Sequence, residues 1–445
     1  MIDLESKISS LMPEIRADLE RLIRIPSCGF DGFDPKNVRK SAEAVAGMLS
    51  SSGLHDTRLV EIPGGHPAVF GHTPGPPGTA TVLLYAHHDV QPPGPDEEWD
   101  SPPYEPTERD GRLFGRGSSD DKCGVAMHLA ALRAFDGKPP VGVKVIVEGE
   151  EECTAEHLPW LFEEHAELLR ADAVVIADSG VWKRGVPALT ASIRGVVATK
   201  MEVRVADQSM HSGIYGGPVP DAITALSRMI ASLHDDDGNV AVKGLLRRPG
   251  DAPVDYDEKE FREEAKLRPG VELLGQGALA DRLWFGPSIN IVGMDAPSIR
   301  DASFQVVPVA TAFVTMRIAP GENAHDALQK LEQHLLANAP WGVDVAFAGD
   351  ERATGHEMPT EGPVFEAAVR SLREAWGVEP VLMGMGGSVP LVPELAKAMP
   401  DAIVLLTGPG DELSAAHSVN ESVDLKELER SCLAEARFLQ ILGAG

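Results

Sequence analysis

Apolar residues follow two different patterns along the chain, helical spacing in some segments and short continuous runs in others. Residues 2–24 place apolar side chains at helical spacing until Ile25-Pro26 interrupts the pattern, and further helices are predicted over 36–53 and 121–135. Short continuous apolar runs typical of buried strands lie at Thr79–Ala86, Val141–Val147, Ala173–Ala177 and Ala402–Thr407. Strands that alternate with helices predict an α/β domain with a largely parallel central sheet flanked by helices.

The region from about Arg194 to His356 has a different pattern. Strands are predicted at Lys200–Val205, Val306–Ile318 and Val343–Ala348, helices at Asp221–Leu233 and 323–338, and an irregular charged segment at 245–283. This grouping predicts a small α+β module inserted into the first domain. We therefore expect a catalytic domain made of residues 1–193 and 357–445, and an inserted lid or dimerisation domain made of residues 194–356.

Length and composition narrow the class of protein. A chain of 445 residues exceeds what one hydrophobic core usually serves, which favours two domains. The net charge of −28 argues against a nucleic-acid partner or an anionic membrane, because phosphate binding needs clustered Lys and Arg. We expect neither a membrane span nor a signal peptide, since the chain has no run of 18 apolar residues and no basic start. Its four cysteines form no Cys-x-x-Cys pair, which favours free thiols and a cytoplasmic location.

Five short segments each carry residues able to bind a metal. They are Tyr85-Ala-His-His-Asp89, Gly115-Arg-Gly-Ser-Ser-Asp-Asp-Lys122, Glu148-Gly-Glu-Glu-Glu152, Ile176-Ala-Asp178 and His417-Ser-Val-Asn-Glu421. Together they supply His87, Asp120, Glu152, Asp178 and His417. Two imidazoles and three carboxylates suit a pair of divalent metals, most naturally zinc. Two such ions about 3.5–4 Å apart can produce hydroxide at neutral pH and polarise a carbonyl.

The positions of these segments agree with the predicted fold. Each lies at or beyond the end of a predicted strand, where open α/β sheets place their sites. Asp89 and His87 are two residues apart on an extended segment, so Asp89 can bond the far nitrogen of His87 and fix its tautomer, while His88 points away. Taken alone, Glu150–Glu152 could be a solvated acidic loop, and Asp178 could be a helix cap or turn residue.

The chain resembles the M20 family of metallopeptidases, in particular the carnosinase-like branch of dizinc dipeptidases and carboxypeptidases. The resemblance covers nearly the whole chain. Besides the five segments, it rests on Trp99 through Pro106, Met210-His-Ser-Gly213, Met316-Arg-Ile-Ala-Pro320 and Gly386-Gly-Ser388, all in the family's order.

The resemblance implies two Zn²⁺ ions per subunit, with Mn²⁺ or Co²⁺ as substitutes. Asp120 would bridge the ions, His87 and Asp178 would complete one, and Glu152 and His417 would complete the other. Glu151 would be the general base, Asp89 would orient His87, and the peptide bond between Asp120 and Asp121 would be cis.

The resemblance also implies roles for residues outside the metal set. His211, often supplied by the other subunit of a dimer, would stabilise the oxyanion, which implies a homodimer. Arg317, with backbone amides at Gly387 and the hydroxyl of Ser388, would hold the substrate's free carboxylate. A surface histidine and a structural ion pair are the alternatives for His211 and Arg317. Met385 stands where many relatives carry a charged residue, so the specificity pocket is in doubt.

We therefore expect a metallohydrolase that cleaves dipeptides or short peptides with a free C-terminal carboxylate. An alternative is a deacylase of N-acyl amino acids that uses the same metal centre. A catalytically inactive binding protein on this scaffold is a remoter alternative, and it would lack a ligand or the base.

Overall fold

The computed structural model describes residues 2–153, 157–387 and 391–444. The helices are α1 (Leu4–Ile23), α2 (Pro35–Ser51), α3 (Lys122–Ala134), α4 (Leu158–Glu164), α5 (Ala166–Leu169), α6 (Ser212–Tyr215), α7 (Ala222–Ala231), α8 (Glu258–Glu264), α9 (Leu279–Trp284), α10 (Ala324–Ala337), α11 (Pro363–Trp376), α12 (Leu391–Ala398) and α13 (Leu425–Leu442). Among these described helices, none has the length and apolar character needed to cross a bilayer.

The strands are β1 (His55–Val60), β2 (Ala68–Thr73), β3 (Thr81–His87), β4 (Thr107–Arg109), β5 (Arg112–Phe114), β6 (Gly142–Glu148), β7 (Ala173–Ile176), β8 (Ala188–Ile193), β9 (Gly195–Arg204), β10 (Met210–His211), β11 (Ser288–Asp295), β12 (Gln305–Val306), β13 (Val309–Ile318), β14 (Asp344–Ala353), β15 (His356–Glu357), β16 (Val381–Met385), β17 (Ile403–Leu406) and β18 (Ser422–Asp424). The chain folds into two compact units. The first contains Met1–Ala191, Met358–Met383 and Pro390–Gly445, and the second contains Ser192–Glu357 and Gly384–Val389.

The first unit is built on a sheet with the strand order β1-β2-β6-β3-β7-β17-β8. The four central strands, β6, β3, β7 and β17, are parallel, and most of their apolar side chains are buried. Strands β1 and β2 extend the sheet in antiparallel pairing, and β8 pairs antiparallel with β17. The predicted α/β class with a largely parallel central sheet is confirmed.

In the first unit, capping residues mark where helices begin, and apolar faces pack into the core. Asp3 and Asp34 cap α1 and α2 by accepting backbone N–H bonds, and Pro35 occupies the first turn of α2. One face of α1 carries buried side chains such as Ile8, Ile15, Leu19 and Leu22. This face joins α2, α3, α11 and α13 in one continuous apolar core against the sheet.

A small antiparallel sheet in the first unit joins two distant parts of the chain. Its strand order is β18-β5-β4. Because β5 pairs with β18, the residues after Phe114 lie beside the residues before Ser422, and the Gly115 amide donates to the Glu421 carbonyl. Two of the five candidate metal-binding segments are therefore neighbours.

The second unit is an antiparallel sheet with the order β11-β13-β9-β14 and helices packed on it. Helices α7 and α10 bury Leu226, Met229, Leu331 and Leu335 in the core of this unit. The α+β character predicted for this region is confirmed, and β11 is an edge strand.

Several elements were missed by the sequence reasoning. Strands β1, β2, β8 and β11 were not predicted, and 245–283, predicted to be irregular, contains α8 and α9. Strand β11 has a mostly exposed pattern and lacks the buried alternation that identifies strands. Strand β9 begins at Gly195, five residues before the predicted start at Lys200.

A buried histidine ties α3 to α13 and to β3. His128 Nδ1 lies 2.9 Å from Glu435 Oε2, and Nε2 lies 3.0 Å from the Tyr85 carbonyl oxygen. The Tyr85 carbonyl accepts, and an ionised Glu435 also accepts, so with Glu435 ionised both ring nitrogens donate and the ring is an imidazolium. Burial lowers the pKa of His128, but the Glu435 carboxylate raises it, and the net direction is upward.

We expect Glu435→Ala to lower the free energy of unfolding by about 3–5 kcal/mol, because it leaves the buried imidazole without its counterion. The folded-state pKa of His128 is raised, so this stabilisation is complete below about pH 6.5 and is lost as the pH rises through that pKa. Denaturant titrations at several pH values measure both effects. Glu429→Ala, on the same helix, is the control and should change stability by no more than about 0.5 kcal/mol. Equal effects of the two variants would contradict the assignment of His128 and Glu435 as a stabilising buried ion pair.

Candidate metal centre

The ends of three parallel strands place the first group of candidate ligands. Strand β3 ends at His87, which is in register with Glu148 at the end of β6, and Tyr85 is in register with Ile176 at the end of β7. The carboxyl ends of these strands are therefore level. The segments that follow β6 and β7 carry the acidic candidates to the edge of the sheet that holds His87.

Asp120 lies between the two predicted histidine ligands. Its Oδ1 is 3.0 Å from His87 Nε2, and its Oδ2 is 2.9 Å from His417 Nε2. His417 Nε2 is also 3.1 Å from Glu152 Oε2. One carboxylate thus faces two imidazoles through separate oxygens, which is the arrangement that a bridging ligand requires.

Glu151 and Asp178 also lie beside His87. Donor atoms of these three side chains all lie within 4.8 Å of one another, as do those of His87, Asp120 and Glu152. Asp178 Oδ1 is 3.9 Å from His87 Nε2. The structure therefore brings all five predicted ligands and the predicted base into one cluster in the first unit.

Asp89 and His88 point in opposite directions, as the extended segment predicts. Asp89 is buried with its Oδ1 3.3 Å from His87 Nδ1, and its Oδ2 accepts the Glu152 amide at 3.1 Å. His88 is buried away from the cluster, where its Nε2 lies 3.0 Å from the Pro67 carbonyl oxygen. Burial lowers the pKa of His88 to about 3, so the ring is a neutral packed histidine.

The second segment turns sharply between its two aspartates. The peptide bond between Asp120 and Asp121 is cis, as the resemblance implied. The Asp121 side chain caps α3 by accepting the Gly124 amide and lies 3.3 Å from the His87 amide. Asp120 and Asp121 consequently point to different partners although they are adjacent.

Glu421 holds the loop that carries Asp120, a role that the sequence reasoning did not assign. Its Oε1 accepts the amides of Ser119 and Asp120 at 2.8 and 3.0 Å, and its Oε2 accepts Arg116 Nη1 at 2.6 Å and the Gly117 amide at 3.0 Å. The carboxylate is fully buried. These four donors come from residues some 300 positions away, so no local pattern reveals them.

A second missed contact supports Glu152. Gln91 Nε2 donates to Glu152 Oε2 at 2.8 Å, and this amide also lies 3.2 Å from the Glu152 carbonyl oxygen. Such an outer partner fixes a ligand's orientation. In the sequence, only the position of Gln91 four residues after His87 points to this contact.

The charge balance of the cluster fits a bound cation. Burial raises the pKa of Asp178 to about 7 with a contribution from the carboxylate of Asp120, and burial together with Asp178 raises the pKa of Glu151 well above its usual range. Burial also acts on Asp120, but its two imidazole neighbours lower its pKa below the usual range. Crowded carboxylates beside imidazoles form a donor set that divalent cations of the zinc type bind.

The remaining predicted residues lie in the second unit. His211, in β10, is exposed and its Nδ1 accepts the Gly213 amide at 3.0 Å. Arg317 lies on β13, where it is in register with Ser288 and Val196. Gly387 follows β16, and Ser388 lies outside the described residues.

Gly384, one of the two unusual residues before Gly386, has a packing reason. A Cβ on Gly384 would lie 2.5 Å from the Cβ of Trp284, so only glycine fits there. Met385 ends β16, and its carbonyl accepts the Arg194 amide at 3.1 Å. The chain therefore passes close to Trp284 before it enters the Gly386-Gly387 turn.

Comparison with known proteins gives the family. The model of peptidase family M20/M25/M40 matches residues 83–441. A cysteinylglycine-S-conjugate dipeptidase from Corynebacterium striatum is 36% identical over 421 residues, which cover 91% of this chain and 90% of the relative. The structure of the di-peptidase Dug1p from Saccharomyces cerevisiae has a TM-score of 0.82 at 25% identity and covers 99% of this chain and 98% of that one.

A further solved structure supports the fold. Human carnosine dipeptidase 1 has a TM-score of 0.82 at 23% identity, over 99% of this chain and 98% of that one. The family model and the first relative each cover most of the chain. The chain belongs to peptidase family M20/M25/M40 and is a metallopeptidase of the M20 type.

Proposed function

We propose that this metallopeptidase is a dipeptidase that hydrolyses the amide bond of dipeptides with a free C-terminal carboxylate. The observation that carries the proposal is the position of Asp120 between His87 and His417, with Glu151 beside the same cluster. The named activities of the relatives, which include cysteinylglycine conjugates and Cys-Gly, support dipeptides as the substrate class.

We propose two Zn²⁺ ions as the cofactor, with Asp120 shared between them. His87 and Asp178 would hold one ion, and Glu152 and His417 would hold the other. When bound, such a pair makes hydroxide available at neutral pH and polarises the scissile carbonyl. Asp89 would keep His87 in the tautomer that leaves its Nε2 free to bind metal.

Glu151 is proposed as the general base. It lies within the His87 cluster without being one of the five proposed ligands, so its carboxylate can accept a proton from the attacking water. The same carboxyl group would then give that proton to the leaving amine. Asp89, the other carboxylate beside His87 without a proposed ligand role, faces Nδ1 of His87 and the Glu152 amide.

The roles of residues in the second unit are proposed from the resemblance. His211 would stabilise the oxyanion, and Arg317 with Gly387 and Ser388 would hold the substrate's carboxylate. We also propose that residues 194–356 act as the lid and dimerisation domain that the resemblance implies.

The alternatives receive less support. The relatives described above are named as dipeptidases, which does not favour a deacylase of N-acyl amino acids. An inactive scaffold would lack a ligand or the base, whereas all six side chains are present and clustered. The dipeptidase is therefore the better supported function.

A homodimer is proposed because the resemblance implies one and because β11 and the segment after it expose apolar side chains. On and near the edge strand β11, Val292 is 59% exposed, Met294 51%, Ile299 98% and Phe304 90%. An edge strand with exposed apolar residues is typical of an interface, since monomers usually protect such edges. A second copy of this chain is the proposed occupant.

We expect the zinc-loaded protein to hydrolyse free dipeptides and to leave their N-acetylated analogues intact. Glu151→Gln should lower kcat by about 10²–10⁴ because the amide cannot accept the water's proton, while the zinc content stays unchanged. The matched control is Glu150→Gln, whose side chain contacts His66 and His157 and should keep most activity. Hydrolysis of acyl substrates alone would favour the deacylase. Full activity of Glu151→Gln would contradict the proposal that Glu151 is the general base.

Chelation should abolish activity, and about two equivalents of Zn²⁺ should restore it.

Glu421→Gln should weaken zinc affinity by about 10- to 100-fold, because an amide cannot accept from all four donors that hold the Asp120 loop. Competition with a chromophoric chelator measures the affinity, and Glu429→Gln on α13 is the control. An unchanged affinity in Glu421→Gln would contradict the proposed support of Asp120.

Light scattering after size-exclusion chromatography should give twice the monomer mass for the native chain. The double substitution Val292→Glu and Phe304→Glu places two charges among the exposed apolar side chains on and after β11. It should dissociate the dimer, because two carboxylates would be buried at the contact. Val378→Glu, at an exposed apolar position of the first unit, should leave the mass unchanged. A monomeric native protein would overturn the proposal.

A further inference from the structure

Arg194 is a nearly buried arginine in the second unit that anchors the glycine turn after β16. It lies between β8 and β9 and is 8% exposed. Its Nε donates to the Gly386 carbonyl at 3.1 Å, and its Nη1 donates to the Gly286 carbonyl at 3.3 Å and to Ser288 Oγ at 3.1 Å. Its backbone amide donates to the Met385 carbonyl.

The partners of this guanidinium are neutral. Within the described part of the chain, Arg194 contacts backbone carbonyls and a hydroxyl, and no carboxylate pairs with it. Burial, and the like charge of Arg317, lower the pKa of Arg194 to about 10. A buried cation without a counterion is costly, so it is normally retained where a charge is needed.

The sheet of the second unit places Arg194 beside Arg317. Arg317 is in register with Ser288 on β11, and Ser288 Oγ accepts from Arg194. Arg317 is also in register with Val196, two residues after Arg194 on the other side. One strand register therefore brings two guanidinium groups to the same end of the sheet.

The glycine turn is held from two sides. A Cβ on Gly386 would lie 3.1 Å from Arg194 Nη2, and a Cβ on Gly384 would meet Trp284 at 2.5 Å. The guanidinium packs against Gly386 while bonding its carbonyl, so the orientation of the peptides around Gly386 depends on Arg194. A lysine could supply the charge but could not donate to the same three acceptors.

We propose that Arg194 is a positioning residue for recognition of the substrate's terminal carboxylate, because it fixes the Gly386-Gly387 turn and adds a second positive charge beside Arg317. This inference rests on the proposed dipeptidase function. It assigns Arg194 no contact with the reacting atoms.

The test compares a dipeptide with its C-terminal amide on the zinc-loaded full chain. We expect Arg194→Met to raise KM for the dipeptide by about 10- to 100-fold, with a smaller change in kcat and unchanged zinc content. The amide lacks the negative charge, so its KM should change by less than threefold or so. The preference of the enzyme for the dipeptide over the amide should therefore fall.

Two further variants separate positioning from stability. Gly386→Ala disturbs the same contact from the other side and should also raise KM for the dipeptide, even if Arg194→Met folds poorly. Arg204→Met removes an exposed arginine of β9 that pairs with Glu202, and it should leave KM within about twofold of the native value. Thermal denaturation of each variant with zinc bound reports the fold.

The outcomes are distinct. If the native enzyme cleaves dipeptides and both Arg194→Met and Gly386→Ala keep its KM, the positioning role is overturned and the dipeptidase function stands. If KM rises equally for the dipeptide and the amide, the role is structural and the proposal is also overturned. If the native enzyme cleaves no dipeptide, the proposed function itself fails.

Discussion

The buried carboxylate of Glu421 is the constraint on which the geometry of the candidate metal centre depends. Asp120 can face both His87 and His417 only if its loop is held in one conformation, and that loop is bonded to Glu421 through three backbone amides and Arg116. Burial raises the pKa of Glu421, and the Arg116 guanidinium opposes that rise. The pairing of β5 with β18 brings this carboxylate within reach, so a short strand pair fixes a site assembled from distant segments.

Much of the first unit follows from residue patterns because its elements are strongly periodic or continuously apolar. The four central strands were all predicted, and α1 and α3 differ from their predicted ends by one or two residues. The proximity of the candidate ligands was predictable for the same reason, since parallel strands place their carboxyl ends at one edge of the sheet. Edge strands such as β1 and β11 lack a fully buried face, so their patterns carry little information.

The contacts that hold the site were not predictable from the sequence, because their partners lie far away in the chain. Glu421 reaches a loop some 300 positions distant, and Arg194 bonds Gly386 across 192 positions. Neither residue shows this in its neighbours. Ligand types can be read from local chemistry, whereas the residues that orient the ligands depend on tertiary register.

The two units gather side chains of opposite charge. The first unit gathers Asp120, Glu151, Glu152 and Asp178, which favour cations, and the second places Arg194 beside Arg317, which favours an anion. A dipeptide has both a carbonyl to be polarised and a terminal carboxylate to be held, separated by one residue. In a chain with a net charge of −28, two adjacent guanidinium groups without a carboxylate on Arg194 are unusual. On the proposal made above, the cost of burying the Arg194 cation is offset when an anionic substrate group binds nearby, and carboxylate recognition would then separate a dipeptidase from a general amidase on this scaffold.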